Sequence, residues 1–374
     1  MAPDSFKGSL TALQAAEAMA QGVRRTFPRC AVTLMPVSDG GEGLVAVLTP
    51  LLGGTIMRVE VSGPLPGQRV SAQWGHVAGK ELAVIEMAEA AGLARVPAAR
   101  RDPRVTTTYG VGELILAALD RSAREIIVGI GGSATNDGGA GMASALGAKF
   151  FDASDQALPP GGASLARLAR IDSGGLDKRL RNVKVTAACD VTSPLTGPAG
   201  ASRVYAPQKG AGPEAVEELE HALLRYAAVV LSDLGIDCDQ IPGAGAAGGL
   251  GAGLLAFCDA GLRPGIDIVL DATGIDDELK HADLVITGEG SIDEQTGTGK
   301  AVSGVVARAK RAGVPVVAVA GKLARAEVLR AAGIARCIVL VDASTDEHTA
   351  MADAGRLVAD RTADLLTRLR GQTG

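Results

Sequence analysis

The sequence predicts an α/β protein made of two α/β domains with mainly parallel sheets, and three observations carry that prediction. The chain of 374 residues exceeds what one ordinary core accommodates and fits two domains. Hydrophobic residues make up 47% of the chain but aromatic residues only 2%, so Ala, Val, Leu and Ile must fill the core, as in parallel sheets covered by helices. Apolar segments also alternate with glycine-rich loops and helical patterns, which indicates a parallel sheet with right-handed crossovers.

The first elements follow the order helix, strand, glycine loop and helix. Apolar residues recur at a helical period from Ser9 to Phe27, Thr11 and Gln14 have the spacing of a capping box, and Pro28 ends the run. The segment "AVTLMPV" predicts a strand, "SDGGEG" a tight loop, and "GLVAVLTPLLGG" a short helix that ends at its glycine pair.

Three strands with no room for helices between them follow in residues 55–89, so a meander is predicted there. Beyond it, the helix "YGVGELILAALDR", the strand "EIIVGIG" and the helix "GAGMASALGA" continue the alternation of strand, glycine loop and helix. The remaining predicted strands are "VKVTAACD", "ADLVITGEG", "VPVVAVAGK" and "ARCIVLVD". A terminal helix is predicted from about Thr349 to Leu369.

Charge and cysteine content narrow the classes of function. The net charge is −5 and basic residues are interleaved with acidic ones, which argues against a nucleic-acid partner. The five cysteines never form a C-x-x-C pair, so neither a disulfide framework nor a zinc site is expected. Because no apolar segment reaches the roughly 20 residues of a membrane helix and the start lacks signal-peptide features, a cytoplasmic protein without a membrane partner is expected.

The segment "VGIGGSATNDGGAGM" (128–142) places six glycines in and after an apolar strand. A loop of this kind at the carboxyl end of a parallel strand offers backbone N–H groups and a helix dipole to an anion. Glycine also serves merely to end strands and pack helices, and one loop alone does not decide between the two roles. Several such loops behind apolar strands favour a shared ligand cleft at the carboxyl edge of a sheet.

Two named glycine motifs fail in detail or in context. The "GTGK" of 297–300 lacks the first glycine of a P-loop and is followed by Ala301, where Ser or Thr should bind magnesium. The "GAGAAG" of 243–248 matches the dinucleotide pattern G-x-G-x-x-G but follows a polar segment that ends in proline. A loop that caps the helix from Leu250 is the better interpretation. No H-x-x-x-H pair or G-x-S-x-G elbow points to zinc or triad hydrolysis.

Charged residues in the loops supply the candidate chemistry. Six carboxylates fall just past predicted strands, at Asp39, Glu42, Asp137, Asp190, Glu289 and Asp293. One acid in such a place is commonly a helix cap, but six exceed what capping requires, and carboxylates can hold or deprotonate a hydroxyl or bind magnesium. Lysines flanked by small residues, which suit phosphate neutralisation, are Lys7, Lys209 and Lys300. Together these features describe phosphoryl transfer.

Seven segments, in order, resemble the bacterial glycerate kinases of type 1 and cover nearly the whole chain. They are "APDSFKGSL", "MPVSDGGEG", "GIGGSATNDGGAGM", "CDVTSPLTGPAGAS", "PQKGA", "GAGAAGGLGAGL" and "DLVITGEGSIDEQTGTGK". The resemblance implies ATP-dependent phosphorylation of D-glycerate, with magnesium (Mg²⁺), to 2-phosphoglycerate or 3-phosphoglycerate. It also implies that the active site lies in the cleft between the two domains. By this resemblance, residues 1–65 and 285–374 form a discontinuous Rossmann or flavodoxin-like α/β domain, and residues 66–284 form an inserted α/β domain.

The resemblance further implies roles for the matching residues. Asp190 is expected to orient or deprotonate the glycerate hydroxyl, with Asp39 as the competing base and Lys7 as the third catalytic residue. The residues expected to bind the substrate or the transferred phosphate are Asp4, Ser5, Lys7, Gly131, Gly132, Ser133, Asn136, Asp137, Gln208 and Lys209. Those expected to bind the nucleotide or magnesium are Gly288, Glu289, Asp293 and Lys300, with Glu289 and Asp293 as metal ligands.

Some questions stay open at this point. A bare Met1 stands where the family has a short apolar strand, so we expect either that the first strand is missing or that the chain starts too late. The oligomeric state is a monomer or a homodimer. One alternative function is a nicotinamide-dependent oxidoreductase of small hydroxy acids, which "GAGAAG" favours and its polar left flank opposes. The other is a catalytically silent sugar-acid sensor, which the retained carboxylates and lysines oppose.

Overall fold

The chain forms two α/β units. The computed structural model describes residues 1–38, 43–292, 301–325, 327, 329 and 333–371. Residues 1–39 and 266–374 make up what we call the terminal unit, and residues 40–265 make up the middle unit.

Strands and helices alternate through most of the described sequence. The strands are β1 (Ala2–Pro3), β2 (Thr55–Ser62), β3 (Arg69–Val77), β4 (Leu82–Glu86), β5 (Glu125–Gly129), β6 (Lys149–Phe151), β7 (Arg170–Asp172), β8 (Lys184–Ala188), β9 (Gly261–Arg263), β10 (Val285–Ile292), β11 (Val316–Leu323) and β12 (Arg336–Val339). The helices are α1 (Ala12–Thr26), α2 (Leu44–Leu51), α3 (Met87–Ala91), α4 (Tyr109–Asp120), α5 (Ala140–Ala145), α6 (Ala201–Tyr205), α7 (Pro213–Leu234), α8 (Ala246–Cys258), α9 (Gly265–Thr273), α10 (Ile275–Leu279), α11 (Ala301–Arg311), α12 (Glu347–Ala352) and α13 (Ala354–Arg370).

The middle unit is built on a six-stranded sheet in the order β2-β3-β4-β5-β8-β9. The meander β2-β3-β4 is antiparallel, and β4, β5, β8 and β9 are parallel to one another. All five residues of β4 are buried, as expected for a parallel strand covered on both faces. In the core of the middle unit, sheet residues such as Ile126 and Val128 pack with Leu114 and Ile115 of α4. A separate hairpin, β6-β7, packs with α7 in a second cluster that includes Phe150 and Tyr226.

The terminal unit contains a four-stranded, fully parallel sheet in the order β1-β10-β11-β12. Helices α1 and α13 pack together and contribute Met19 and Val358 to the same core as Val317 and Val319 of β11. The predicted capping box of α1 is present, because Thr11 accepts from the N–H of Gln14 while the Gln14 side chain accepts from the N–H of Thr11.

The predicted fold class, α/β with mainly parallel sheets, is confirmed by this architecture. The units divide at 39/40 and 265/266, whereas the sequence analysis placed the division at 65/66 and 284/285. The difference at the first boundary has a direct cause, since β2 pairs along its whole length with β3 and therefore belongs with the middle sheet.

Two predictions near the start of the chain are corrected. The first strand is not missing, because Ala2 and Pro3 pair in parallel with Thr287 and Gly288 of β10. The predicted strand of residues 31–37 is not formed, although its N–H groups at 35 and 37 donate to Met1 and Pro3. Pro3 has no N–H to donate back to this segment, so the pairing of residues 31–37 with β1 is incomplete.

Candidate functional site

The carboxyl ends of four parallel strands meet in one row of the middle unit. The strand register aligns Glu86 of β4 with Gly129 of β5, Gly129 with Ala188 of β8, and Ala188 with Arg263 of β9. The loops that carry most of the predicted site residues of this unit leave the sheet from this row. In open α/β sheets this edge is where ligands bind.

The glycine loop after β5 presents backbone donors. The loop is held from one side, since Leu93 donates to the carbonyl of Gly132 at 2.8 Å and Ala134 donates to that of Ala91 at 2.9 Å. Among the described residues, no acceptor pairs with the N–H groups of Gly131, Gly132 and Ser133. Successive unpaired N–H groups of this kind form a concavity that suits an anion.

Asp137 lies inside this loop rather than on its surface. It is 1% exposed, and its carboxylate accepts from the N–H and hydroxyl of Thr108 and from the N–H groups of Gly139 and Gly141, at 2.8 to 3.3 Å. Burial raises the pKa of Asp137 above its usual range, against the opposing effect of these hydrogen bonds. The carboxylate thereby ties the glycine loop to the start of α4.

Two more predicted residues, Asn136 and Lys209, stabilise the glycine loop through hydrogen bonds. The Asn136 amide donates to the hydroxyl of Ser202 at 3.0 Å, and the Lys209 ammonium donates to the carbonyl of Thr135 at 2.7 Å. Lys209 is 2% exposed, whereas its neighbour Gln208 is exposed. Burial lowers the pKa of Lys209 to about 7, against the smaller effect of Asp137, which raises it.

The buried ammonium makes the stability of the middle unit depend on pH. The pKa of Lys209 is about 7 in the folded chain and 10.5 in its ordinary state, so the unfolded chain binds more protons between these values and stability rises with pH there. Lys209→Met removes this contribution. Relative to the wild type, the variant's free energy of unfolding should therefore fall by up to about 1.4 kcal/mol per pH unit above about pH 7.

Urea unfolding followed by the fluorescence of Trp74, a buried residue of β3 and the chain's single tryptophan, measures this dependence in the middle unit. Lys149→Met, at an exposed lysine of β6, is the control and should show no such trend. Parallel pH curves for Lys209→Met and the wild type would contradict a buried, titrating Lys209.

Asp190 follows β8 at the same edge and is exposed. Its Oδ1 accepts from the N–H of Gly265 at 2.9 Å, which fixes one side of the carboxylate. The preceding Cys189 donates its thiol to the carbonyl of Val191 at 3.2 Å. Because the N–H of Ile130 donates to the carbonyl of Ala188, the loops bearing Asp190 and the glycines leave adjacent strands.

The "GAGAAG" segment packs against the glycine loop instead of following a strand. Gly138 donates to the carbonyl of Gly248 at 3.0 Å, and a Cβ at Gly249 would lie 2.8 Å from Cα of Gly138. No strand occurs among the described residues between β8 and β9, so the strand, loop and helix context of a dinucleotide fingerprint is lacking.

The terminal unit brings a second set of predicted residues together where the end of β1 runs beside the middle of β10. Asp4 donates its N–H to the carbonyl of Gly288 at 2.8 Å, and the pairing of Pro3 with Gly288 places Asp4 beside Glu289. Ser5 donates its N–H to the Asp4 carboxylate at 2.6 Å. Lys7 is exposed in the same turn.

Four predicted residues, Asp39, Glu42, Asp293 and Lys300, lie outside the described residues. Within the described part of the chain, no group of three or more His, Cys, Asp or Glu residues is placed to hold a metal ion. The searched helices include none that is long and apolar enough to cross a membrane.

Sequence reasoning missed two residues that shape the site, Glu86 and Thr108. Glu86 is 8% exposed and accepts from the N–H groups of Gly43 and Val45, at 3.2 and 2.8 Å, where α2 begins. Its position at the end of an apolar strand was the available signal. Thr108 had no such signal, because its role depends on contact with Asp137.

Comparison with known proteins identifies the family of this chain. A model of the glycerate kinase family matches residues 1–370. The glycerate kinase of Halalkalibacterium halodurans is 51% identical over 86% of this chain and 85% of its own, and the glycerate 2-kinase of Escherichia coli is 49% identical over 86% and 84%. A crystal structure assigned as glycerate kinase 2 of Salmonella typhimurium LT2 matches with a TM-score of 0.91 at 47% identity, over 100% of this chain and 98% of that one.

Proposed function

Because the chain belongs to the glycerate kinase family, we propose that it transfers the terminal phosphoryl group of ATP to the 2-hydroxyl of D-glycerate at the carboxyl edge of the middle unit. The predicted family, and with it glycerate kinase activity as a phosphotransferase, are confirmed by the family match and the relatives. The kinase family implies ATP as the phosphoryl donor. The 2-hydroxyl is supported by the relative named as a glycerate 2-kinase.

One observation carries the placement at this edge. Two loops leave adjacent parallel strands here. One carries the exposed Asp190, and the other carries the unpaired N–H groups of residues 131–133. A carboxylate beside an oxyanion-binding loop supplies the two functions that phosphoryl transfer needs, orientation of the nucleophile and stabilisation of charge on the phosphoryl oxygens.

The reaction then proceeds by in-line displacement. The glycerate hydroxyl oxygen forms a bond to the γ-phosphorus as the bond to the bridging oxygen of ADP breaks, and the hydroxyl proton passes to the Asp190 carboxylate. The N–H groups of Gly131 to Ser133 hold the phosphoryl oxygens. Hydrogen bonds of Asn136, Asp137 and Lys209 stabilise the conformation of this loop.

Glu289 and Asp4, which the strand register places in neighbouring positions, would hold a magnesium ion, because carboxylates supply the oxygen ligands that this ion prefers. The ion would supply positive charge that stabilises the phosphate groups. Gly288 and Glu289 would then meet the nucleotide phosphates. We also propose a cytoplasmic location, which suits the free cysteines, and a monomeric or homodimeric state.

Phosphorus NMR of the purified protein with D-glycerate, ATP and magnesium tests the proposal. We expect a 2-phosphoglycerate signal together with ADP. D-lactate, which retains only the 2-hydroxyl, and 3-hydroxypropionate, which retains only the 3-hydroxyl, are matched acceptors. A 3-phosphoglycerate signal would overturn the regiochemistry, and the absence of any product from D-glycerate would overturn the function.

A further inference from the structure

Arg101 is a partly buried arginine whose charge has no partner among the described residues. It follows a single helical turn, Ala98–Arg100, and precedes Asp102. Its Nε is buried without a hydrogen-bond partner, and no carboxylate of the described chain forms an ion pair with its guanidinium. A guanidinium stays charged and all its N–H groups are donors, so leaving the buried Nε unpaired is costly.

Arg361 offers a comparison with Arg101. The Nε of Arg361 is also buried without a partner, but its Nη2 pairs with Asp342. The acid next to Arg101 is already in use, because Arg104 donates to both oxygens of Asp102, at 2.9 Å from Nε and 2.8 Å from Nη2. These bonds hold the pKa of Asp102 below its usual range. Asp102 is therefore committed to Arg104.

Backbone contacts place Arg101 beside the proposed substrate loops. Gly210, which directly follows Gln208 and Lys209, has a φ of +102°, and a Cβ there would lie 2.8 Å from Cβ of Arg101 and overlap its carbonyl oxygen. Farther along the same segment, the Thr106 hydroxyl donates to the carbonyl of Ala134 in the glycine loop at 2.8 Å. The backbone of the segment that carries Arg101 therefore contacts both loops, the one that follows Lys209 and the glycine loop.

We propose that Arg101 binds the carboxylate of glycerate, an inference that rests on the proposed function. A planar guanidinium matches a planar carboxylate in a bidentate pair. Within the proposed site of the middle unit, the N–H groups of residues 131–133 provide for the phosphoryl oxygens. The glycerate carboxylate still lacks a cation, since the Lys209 ammonium is occupied by the carbonyl of Thr135. Arg101 supplies one.

Steady-state kinetics and calorimetry of Arg101→Met test the assignment. We expect KM for D-glycerate, and the calorimetric Kd of D-glycerate without ATP, to rise by about 10- to 100-fold, as for loss of a charged hydrogen-bonded pair. KM for ATP should stay within about twofold. The matched control is Arg100→Met, at the exposed arginine that directly precedes Arg101, and it should behave like the wild type.

A neutral ligand separates charge recognition from a structural effect. Glyceramide replaces the carboxylate with an amide, so its weak binding should be changed little by Arg101→Met, whereas a general loss of structure would weaken both ligands. Arg101→Lys keeps the positive charge but loses the bidentate geometry of the guanidinium, so it should give an intermediate KM for D-glycerate. This variant also tests the assignment if Arg101→Met does not fold.

Three results would overturn the proposal: an unchanged KM for D-glycerate, an increase confined to KM for ATP, or equal losses for D-glycerate and glyceramide. Failure of the proposed function looks different. In that case the wild type itself gives no phosphorylated product, while the calorimetric comparison still reports whether Arg101 binds the glycerate carboxylate.

Discussion

Asp190→Asn is expected to lower kcat for glycerate phosphorylation by at least about a hundredfold, the usual contribution of a positioned general base. Asparagine keeps the size of the side chain and an oxygen that accepts from the N–H of Gly265, so the loop after β8 should retain its shape. It loses the negative charge and with it the ability to take the hydroxyl proton. ADP release under saturating D-glycerate and ATP measures the effect, and KM for either substrate should change little.

Asp259→Asn is a suitable control for this substitution. Asp259 is exposed in the same unit, after α8, and has a φ of +48°, a conformation that asparagine also tolerates. Its kcat should equal that of the wild type. Asp39→Asn tests the competing base. If kcat falls a hundredfold only in Asp39→Asn, the base is Asp39, and if it falls in neither variant, the assignment of a carboxylate base is wrong.

Most of the fold could be predicted because strand and helix periodicities are local. The run "ELAVIEM" gives β4, and "EIIVGIG" gives β5, since an uninterrupted apolar segment bounded by turns suits a strand buried on both faces. Helix α7 was not among the predicted elements, although Pro213 at its start and Gly235 after its end are ordinary helix boundary signals. The division between the units depends on strand pairing, which the sequence does not display.

The site could be predicted as a set of residues but not as an arrangement. Asp137 and Asp190 both follow apolar strands, so sequence alone treats them alike. The structure buries Asp137 under Thr108, which lies 29 residues earlier in the chain, and leaves Asp190 exposed. Arg101 lies in the polar segment "RRDPR", which by composition indicates a solvated loop. Its unpaired state becomes visible only once Arg104 is seen to occupy Asp102.

The glycines of the loop also divide in a way that sequence could not reveal. Gly131 and Gly132 leave N–H groups available to a ligand, as the anion-loop prediction requires. Gly138 and Gly139 instead allow close approach of the chain to itself, because a Cβ at Gly139 would lie 2.9 Å from Cα of Gly253. Glycine permits both uses for the same reason, the absence of a side chain.

Gly248→Ala is expected to destabilise the middle unit by about 3 kcal/mol or more, through backbone strain and overpacking together. Gly248 has a φ of +68°, and a Cβ there would overlap the carbonyl oxygen of Thr135 and lie 2.6 Å from Cα of Asn136. Both neighbours are backbone atoms in the glycine loop, so relief requires that loop to move. Urea unfolding followed by Trp74 fluorescence measures the loss, and kcat should fall in the folded fraction.

Gly235→Ala separates the two causes. Gly235 has nearly the same φ, +72°, but nothing lies within 4 Å of the position its Cβ would take. Its cost is therefore the left-handed backbone alone, about 1 kcal/mol, with kcat unchanged. The difference between the variants is then the free energy of the close contact between residues 248 and 135. Equal losses would mean that the glycine loop yields easily, and a loop that yields easily cannot hold the N–H groups of Gly131 to Ser133 in place for phosphoryl transfer.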